Sequence, residues 1–339
     1  MSEASSPKIS IVTPSFNQGK YLEKTILSVL EQGYPNLEYI IIDGGSTDES
    51  VDIIRKYADR LAYWVSEPDR GQSHAINKGF ERATGEIYGW LNSDDWYHPG
   101  ALQGVADAFA ANPDAGAVVG AGDMYSEEYN LTQTIEPFPV SVQSLYGAVD
   151  RFFMQPSCFF TRQAWKLCGP LDESLHLAMD LDLWFRIAKK HRYATIDQNL
   201  SVSLVHSSAK TTALAPQSLV DASLVVMKHG GVNEGRDRLV AFLRELLEAR
   251  DNLDVLGKRV QKSESLLVAV DKVLLGKEHN HAVDLQEYEN VLATLRENVA
   301  RLDSIENSMS WRVTRPLRVL HKGLLNLVSH CRLRKMEKK

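Results

Sequence analysis

The tetrad Asn92-Ser93-Asp94-Asp95 follows the apolar stretch Ile87-Tyr88-Gly89-Trp90-Leu91. Two adjacent carboxylates at the carboxyl end of a strand repel each other and lose solvation, so they call for a cation beside them. A hard divalent ion, Mg²⁺ or Mn²⁺, takes oxygen ligands and commonly shares its shell with substrate phosphates, which points to a diphosphate leaving group. The same four residues could also make a simple polar turn. A further acidic loop, Asp43-Gly44-Gly45-Ser46-Thr47-Asp48, follows the apolar run Leu37 to Ile42, and two more carboxylates lie in Met179-Asp180-Leu181-Asp182-Leu183-Trp184-Phe185-Arg186. On a helix Asp180 and Asp182 stand about 200° apart and cannot face one site together. Asp182 precedes Arg186 by four residues, an exposed-type ion pair. Asp180 shares a face with Leu183, Trp184 and Ile187 and so points to the core side, where a carboxylate needs a functional or hydrogen-bonding reason.

The elements that carry these residues follow from the hydrophobic pattern. Residues 8 to 13, Lys-Ile-Ser-Ile-Val-Thr, read as a buried strand ended by Pro14, and Tyr21 to Gln32 has helical spacing. The Leu37 to Ile42 run, with its glycine-rich loop, completes the pattern of a right-handed crossover in a parallel sheet. A helix over Glu49 to Tyr57, a strand near Leu61 to Val65, a helix over Ser73 to Ala83 and the strand bearing the tetrad continue it. Ligands of open α/β sheets collect beyond the carboxyl ends of the strands, so Pro14 to Asn17, Asp43 to Asp48 and Asn92 to Asp95 are expected in one crevice. Neither a dinucleotide fingerprint nor a phosphate-binding P-loop is present, which leaves side chains and carboxylates to recognise a nucleotide.

Four segments in order carry a resemblance to a known family: Ile11-Val12-Thr13-Pro14-Ser15-Phe16-Asn17, the Asp43 to Asp48 loop, Glu67-Pro68-Asp69-Arg70-Gly71-Gln72 with Asn77-Lys78-Gly79, and Leu91 to Asp95. Together they resemble glycosyltransferase family 2 over roughly residues 8 to 212. The resemblance implies an inverting enzyme of α/β class with the GT-A fold, a Rossmann-like, mostly parallel sheet, using a nucleotide-diphosphate sugar. It assigns Pro14, Phe16, Asp43, Asp69, Asn77, Asp94 and Lys210 to the nucleotide sugar and Asp95 to the divalent metal. His206 would complete the metal shell, although a single histidine is also an ordinary structural residue. An acceptor hydroxyl needs a base as it attacks C1, and the family's Glu-Asp motif before Trp places that base at Asp180, with Met179 standing where the family usually has glutamate. Gln155, in Gln155-Pro156-Ser157-Cys158-Phe159-Phe160, would touch the acceptor, while Phe159 and Phe160 read as core and Cys158 as an inert thiol.

The rest of the 339-residue chain is ordinary in composition, 44% hydrophobic and 24% charged. Three cysteines without Cys-x-x-Cys spacing read as reduced thiols. The start lacks a signal-peptide pattern and no run of 18 apolar residues occurs, so the expectation is a cytoplasmic protein, peripheral at the inner face of the cell membrane. From Leu239 to Leu274, and again from Tyr288 to Met309, apolar residues recur at steps of three and four, a coiled-coil signal that predicts a homo-oligomer. Residues 311 to 339 hold nine Lys or Arg and one acid, a net +8 that leaves −14 for the rest. With the apolar face of Leu317, Leu320, Leu324 and Leu327, this tail suits an anionic membrane surface, where a glycan or lipid-linked acceptor would be met; nucleic acid is not the expected partner. The sequence thus divides into a GT-A domain at 1–230, a helical coiled-coil region at 235–309 and a basic amphipathic tail at 310–339. Two rivals remain: a sugar-nucleotide pyrophosphorylase, whose basic glycine-rich loop is missing after the first strand, and a catalytically silent scaffold, favoured only by Met179.

Overall fold

Alternation along the first two strands sorts the molecule into layers. In β1 (Ile9–Ser15) and β2 (Leu37–Asp43), Ile9, Ile11, Tyr39 and Ile41 face one core while Val12, Ile40 and Ile42 face the other. Both faces are apolar because helices cover both. On the first side lie α1 (Gly19–Leu30), α2 (Ser50–Lys56) and α4 (Ala101–Ala111), contributing Leu22, Ile26, Ile54, Leu102 and Val105. The second side takes α3 (Gln72–Arg82), the short α5 (Val142–Leu145), α6 (Arg162–Cys168), α7 (Met179–Ala188) and α8 (Ala215–Lys228). The computed structural model describes residues 6–126, 130–147, 152–206, 209–210, 215–242 and 244. The chain divides into two units, Met1–Arg238 and Leu239–Lys339; of the expected heptad region only residues up to 242, and 244, are described, and the rest of it and the basic tail lie outside the described residues.

The remaining strands are β3 (Tyr63–Ser66), β4 (Ile87–Trp90), β5 (Trp96–Tyr97), β6 (Ala115–Ser126), β7 (Leu131–Ile135), β8 (Cys158–Thr161) and β9 (Arg192–Val205). They form one sheet in the order β3-β2-β1-β4-β8-β6-β9-β5, with β7 beside β6. The first four strands are parallel, as the crossover pattern predicts. The sheet then turns mixed: β8 is antiparallel to both β4 and β6, and β9 runs parallel to β6. Those two reversals restore the original direction, so the carboxyl ends of β1, β2, β4, β6 and β9 gather at one edge.

Pro14 does not end its strand, contrary to the sequence reading. β1 continues to Ser15, and Pro14 pairs in register with Ile42. Val12 accepts from Leu91 on the β4 side, whereas Ser15 accepts from Gly44 on the β2 side. Backbone polar groups alternate sides with period two, so the missing N–H of Pro14 points where β4 has already ended and no ladder bond is lost. A glycine fixes the contact between α3 and the sheet. Gly79 on α3 lies so close to β1 that a Cβ there would run into Val12, which seats α3 directly on the sheet.

Candidate active site

The first two loops at this edge are stapled together. Asn17 adopts a left-handed conformation, φ 51°, a region asparagine tolerates better than most residues. There its N–H donates to Ser46 Oγ at 2.8 Å, and its side-chain oxygen accepts from Thr47 N at 2.9 Å. Asp48 extends the staple by accepting from Gly19 N at the start of α1, 2.9 Å away. Asp43 faces its own loop: Oδ2 accepts from Gly45 N (3.1 Å), Ser46 N (2.8 Å) and Ser66 Oγ (2.7 Å), and Oδ1 from Ser46 Oγ (2.5 Å). It is fully buried and shapes the loop from below. Asp69 bonds Gly71 N at 2.7 Å and lies against Gly44. Phe16, 60% exposed, is the apolar side chain this edge presents to solvent.

The acidic tetrad meets the end of β9. His206 Nε2 lies 3.1 Å from Asp94 Oδ2, and the His206 ring packs on Tyr21 with centroids 4.7 Å apart. Asp95 is turned inward, accepting from the Ser203 hydroxyl and from Leu204 N (3.2 Å), with Asn92 Nδ2 on its other oxygen at 3.2 Å. Burial and the neighbouring Asp94 charge push the Asp95 carboxyl well above its ordinary value. Among the described residues no three acidic, histidine or cysteine side chains come together as a metal-binding group. Asp94 and His206 alone offer an oxygen and a nitrogen side by side, a set a hard divalent ion would have to complete with substrate or water oxygens. It is Asp94, rather than Asp95, that stands beside His206.

A chain of side-chain amides runs across the site. Lys210 Nζ donates to Gln72 Oε1 (3.3 Å), Gln72 Nε2 to Asn92 Oδ1 (2.8 Å), and Asn92 Nδ2 to both Asp95 and Gln155 Oε1 (3.2 Å). Gln155 Nε2 then donates to the Trp90 carbonyl at 3.0 Å. Both ends of Gln155 are engaged, so this expected acceptor contact is held as part of the wall. Gln72 and Asn92 are the members that sequence reasoning missed. Asn92 lay inside the acidic tetrad, but its role depends on partners 20 and 63 positions away.

Asp180 opens α7. That helix is set against the tetrad strand by Trp184, which stacks on Trp90 at 5.5 Å. Asp180 is partly buried, with Oδ1 accepting from Leu181 N at 2.8 Å. Burial pushes its carboxyl above the ordinary value, against the Leu181 amide and the charge of Lys210. Its negative charge in turn helps burial hold the Cys158 thiol high, which agrees with an inert cysteine. The expected contrast between the faces of α7 fails for Asp182. Its pairing with Arg186 is real, Nε to Oδ2 at 2.9 Å, but the Asp182 side chain is only 1% exposed. The cause is α8 and the residue after it: His229 Nε2 and Lys228 Nζ each lie 2.9 Å from Asp182 Oδ1, and the His229 ring stacks on Phe185. Asn77 also differs from expectation. It is buried, and its amide bridges the Leu171 backbone, accepting from N at 2.8 Å and donating to O at 3.0 Å.

A model of glycosyl transferase family 2 matches residues 10–169. An uncharacterised glycosyltransferase of Mycobacterium tuberculosis is 30% identical over 186 residues, covering 54% of this chain and 70% of that protein. The chain belongs to glycosyltransferase family 2. A second relative, an uncharacterised glycosyltransferase of Rickettsia typhi, is 28% identical over 224 residues, 62% of this chain and 68% of that protein. Among solved structures, the mannosyltransferase PcManGT from Pyrobaculum calidifontis, in complex with GDP-Man and Mn²⁺, superposes with a TM-score of 0.54 at 18% identity, covering 99% of this chain and 89% of that one. At that identity the likeness speaks for the fold, and the mixed α/β sheet agrees with the GT-A architecture. The protein is a glycosyltransferase.

Proposed function

We propose that this glycosyltransferase moves a sugar, with inversion, from a nucleotide-diphosphate sugar to a hydroxyl of a glycan or lipid-linked acceptor in cell-surface polysaccharide synthesis. The observation that carries the reading is the hydrogen-bonded chain Lys210–Gln72–Asn92–Asp95, with the Asp94–His206 pair next to Asp95 and the Asp180 carboxyl within reach of the Lys210 charge. Asp43 and Asp69 shape the loops that would receive the nucleotide, with Pro14 beneath them and Phe16 available to cover a base. A divalent ion held by Asp94 and His206, with the Asp95 charge behind them, would neutralise the leaving diphosphate; the fold neighbour bound to GDP-Man and Mn²⁺ supports that cofactor and donor class.

In the transfer, the acceptor oxygen forms a bond to C1 as the C1–O bond to the diphosphate breaks. The nucleoside diphosphate leaves with that electron pair, and Asp180 takes the acceptor proton. Lys210, close enough for its charge to act on Asp180, would meet the diphosphate. Gln155, fixed by Asn92 and Trp90, would border the acceptor. Residues 310–339 would keep the enzyme at the inner membrane face and residues 235–309 would assemble it, both on the strength of their sequence pattern.

Hydrolysis of a panel of UDP-, GDP-, dTDP- and ADP-linked hexoses with Mn²⁺ tests the proposal. One or a few donors should be turned over, and Asp180→Asn should suppress that turnover. Turnover of every donor at equal rate in wild type and variant would refute the assigned base.

A further inference from the structure

The loop between α6 and α7 delivers Asp180, and it is tied to α3. The Asn77 amide makes a two-point bridge to Leu171: Oδ1 accepts from Leu171 N at 2.8 Å, and Nδ2 donates to Leu171 O at 3.0 Å. Asn77 Nδ2 also reaches Glu173 Oε1 at 3.4 Å, while Arg70 Nη2 holds Glu173 Oε2 at 2.8 Å. From the other side Lys228 spans Asp172 (3.3 Å) and Asp182 (2.9 Å). The loop is therefore a strap anchored on both flanks, running into the first turn of α7.

The α3 end of that strap is also the mount for the acidic tetrad. Gln72, the first residue of α3, donates to Asn92 at 2.8 Å, and Asn92 donates to Asp95. Seven positions along, Gly79 seats the same helix on β1. One rigid helix thus holds the tetrad with its first residue and the base-bearing strap with Asn77. We infer that Asn77 is a positioning residue for the base: through Leu171 it sets where the first turn of α7 holds Asp180 relative to the donor, and it does not itself touch the sugar nucleotide. The inference rests on the proposed role of Asp180. A buried side chain with both polar ends on backbone has little left to offer a ligand, and a shift of about 1 Å in a reacting group can lower the rate by roughly a hundredfold.

The test compares Asn77→Asp and Glu173→Gln with the wild type, using whichever panel donor the wild type hydrolyses fastest. Asn77→Asp keeps the acceptor for Leu171 N but sets an oxygen against Leu171 O. Its kcat should fall by at least about tenfold with KM within about twofold. Glu173→Gln, at a carboxylate 31% exposed, should show the same split at about threefold, and it carries the test if Asn77→Asp does not fold. Amide hydrogen exchange should quicken over residues 179–183 in both. A raised KM at unchanged kcat would make Asn77 a donor contact and overturn the inference, as would unchanged kinetics and exchange in folded variants. The control is Asp180→Asn: if it hydrolyses donor like wild type, the base assignment fails, while the exchange data still report whether the bridge holds α7.

Discussion

Two carboxylates two positions apart on one helix titrate in opposite directions, and this separates their roles. Burial holds the Asp180 carboxyl above its ordinary value, so its ionised form costs folding free energy, and stability should fall as pH rises through the raised value. Asp180→Asn removes that cost: it should lower turnover by roughly a hundredfold or more while raising the melting midpoint at neutral pH. Melting curves from pH 4 to 8 should show the two proteins converging on acidification. Asp182 behaves inversely. Burial alone would raise it, but the bonds from His229 and Lys228 and the charge of Arg186 outweigh burial and lower it. Its stabilisation is present above the unfolded-state value and lost as pH falls through the depressed one, so Asp182→Asn should lower the melting midpoint at neutral pH and narrow its gap to wild type in acid. Asp94 and His206 form the other decisive pair. Asp94→Ala and His206→Ala should each weaken Mn²⁺ binding by at least about tenfold in titration calorimetry, with loss of turnover in excess chelator; undiminished Mn²⁺ affinity in both would remove the metal assignment.

At the level of elements, the parallel half of the sheet was readable because its strands are short apolar runs closed by polar loops, such as Gly44 to Asp48 after β2 and Asn92 to Asp95 after β4. The crossover pattern placed α1, α2, α3 and β1 to β4 within a few residues. The mixed half was less visible: β6 begins Ala-Gly-Ala-Val-Val-Gly, and its pairing with β8 and β9 depends on partners far along the chain. Pro14 misled because a proline's effect depends on which neighbour its missing N–H would face. Asp182 misled because the sequence around α7 does not reveal that α8 covers its outer side. Asn77 matched a family motif, yet its partner, Leu171, lies 94 positions away. The join between β1 and β2 yields its own prediction. Burial opposes ionisation of Glu38, but bonds from Lys8, Ser10 and Thr84 prevail and lower it to about 2. This stabilisation should be present at neutral pH and fade between the ordinary glutamate value and about 2. In acid titrations followed by circular dichroism, Glu38→Gln should start less stable than wild type and lose less stability across that window.

On the scale of the whole molecule, the catalytic fold does not close with its last strand. His229 and Lys228 reach Asp182 from beyond α8 and at its end, so a chain ending at Arg238 should fold and turn over donor. If the heptad pattern beyond it mediates assembly, that shortened chain should sediment as a monomer while the full chain does not. Flotation with anionic vesicles tests the basic tail in the same pair of proteins: equal recovery of both would dissociate the tail from membrane binding. Finally, the Asn77–Leu171 bridge joins a segment inside the family match, which stops at residue 169, to one just beyond it. The two halves are therefore not freely interchangeable parts. A chimera that took the segment beyond residue 169 from a relative would set a foreign backbone against the Asn77 amide, and such chimeras should keep donor turnover more often when the inward face of α3 is transplanted with it.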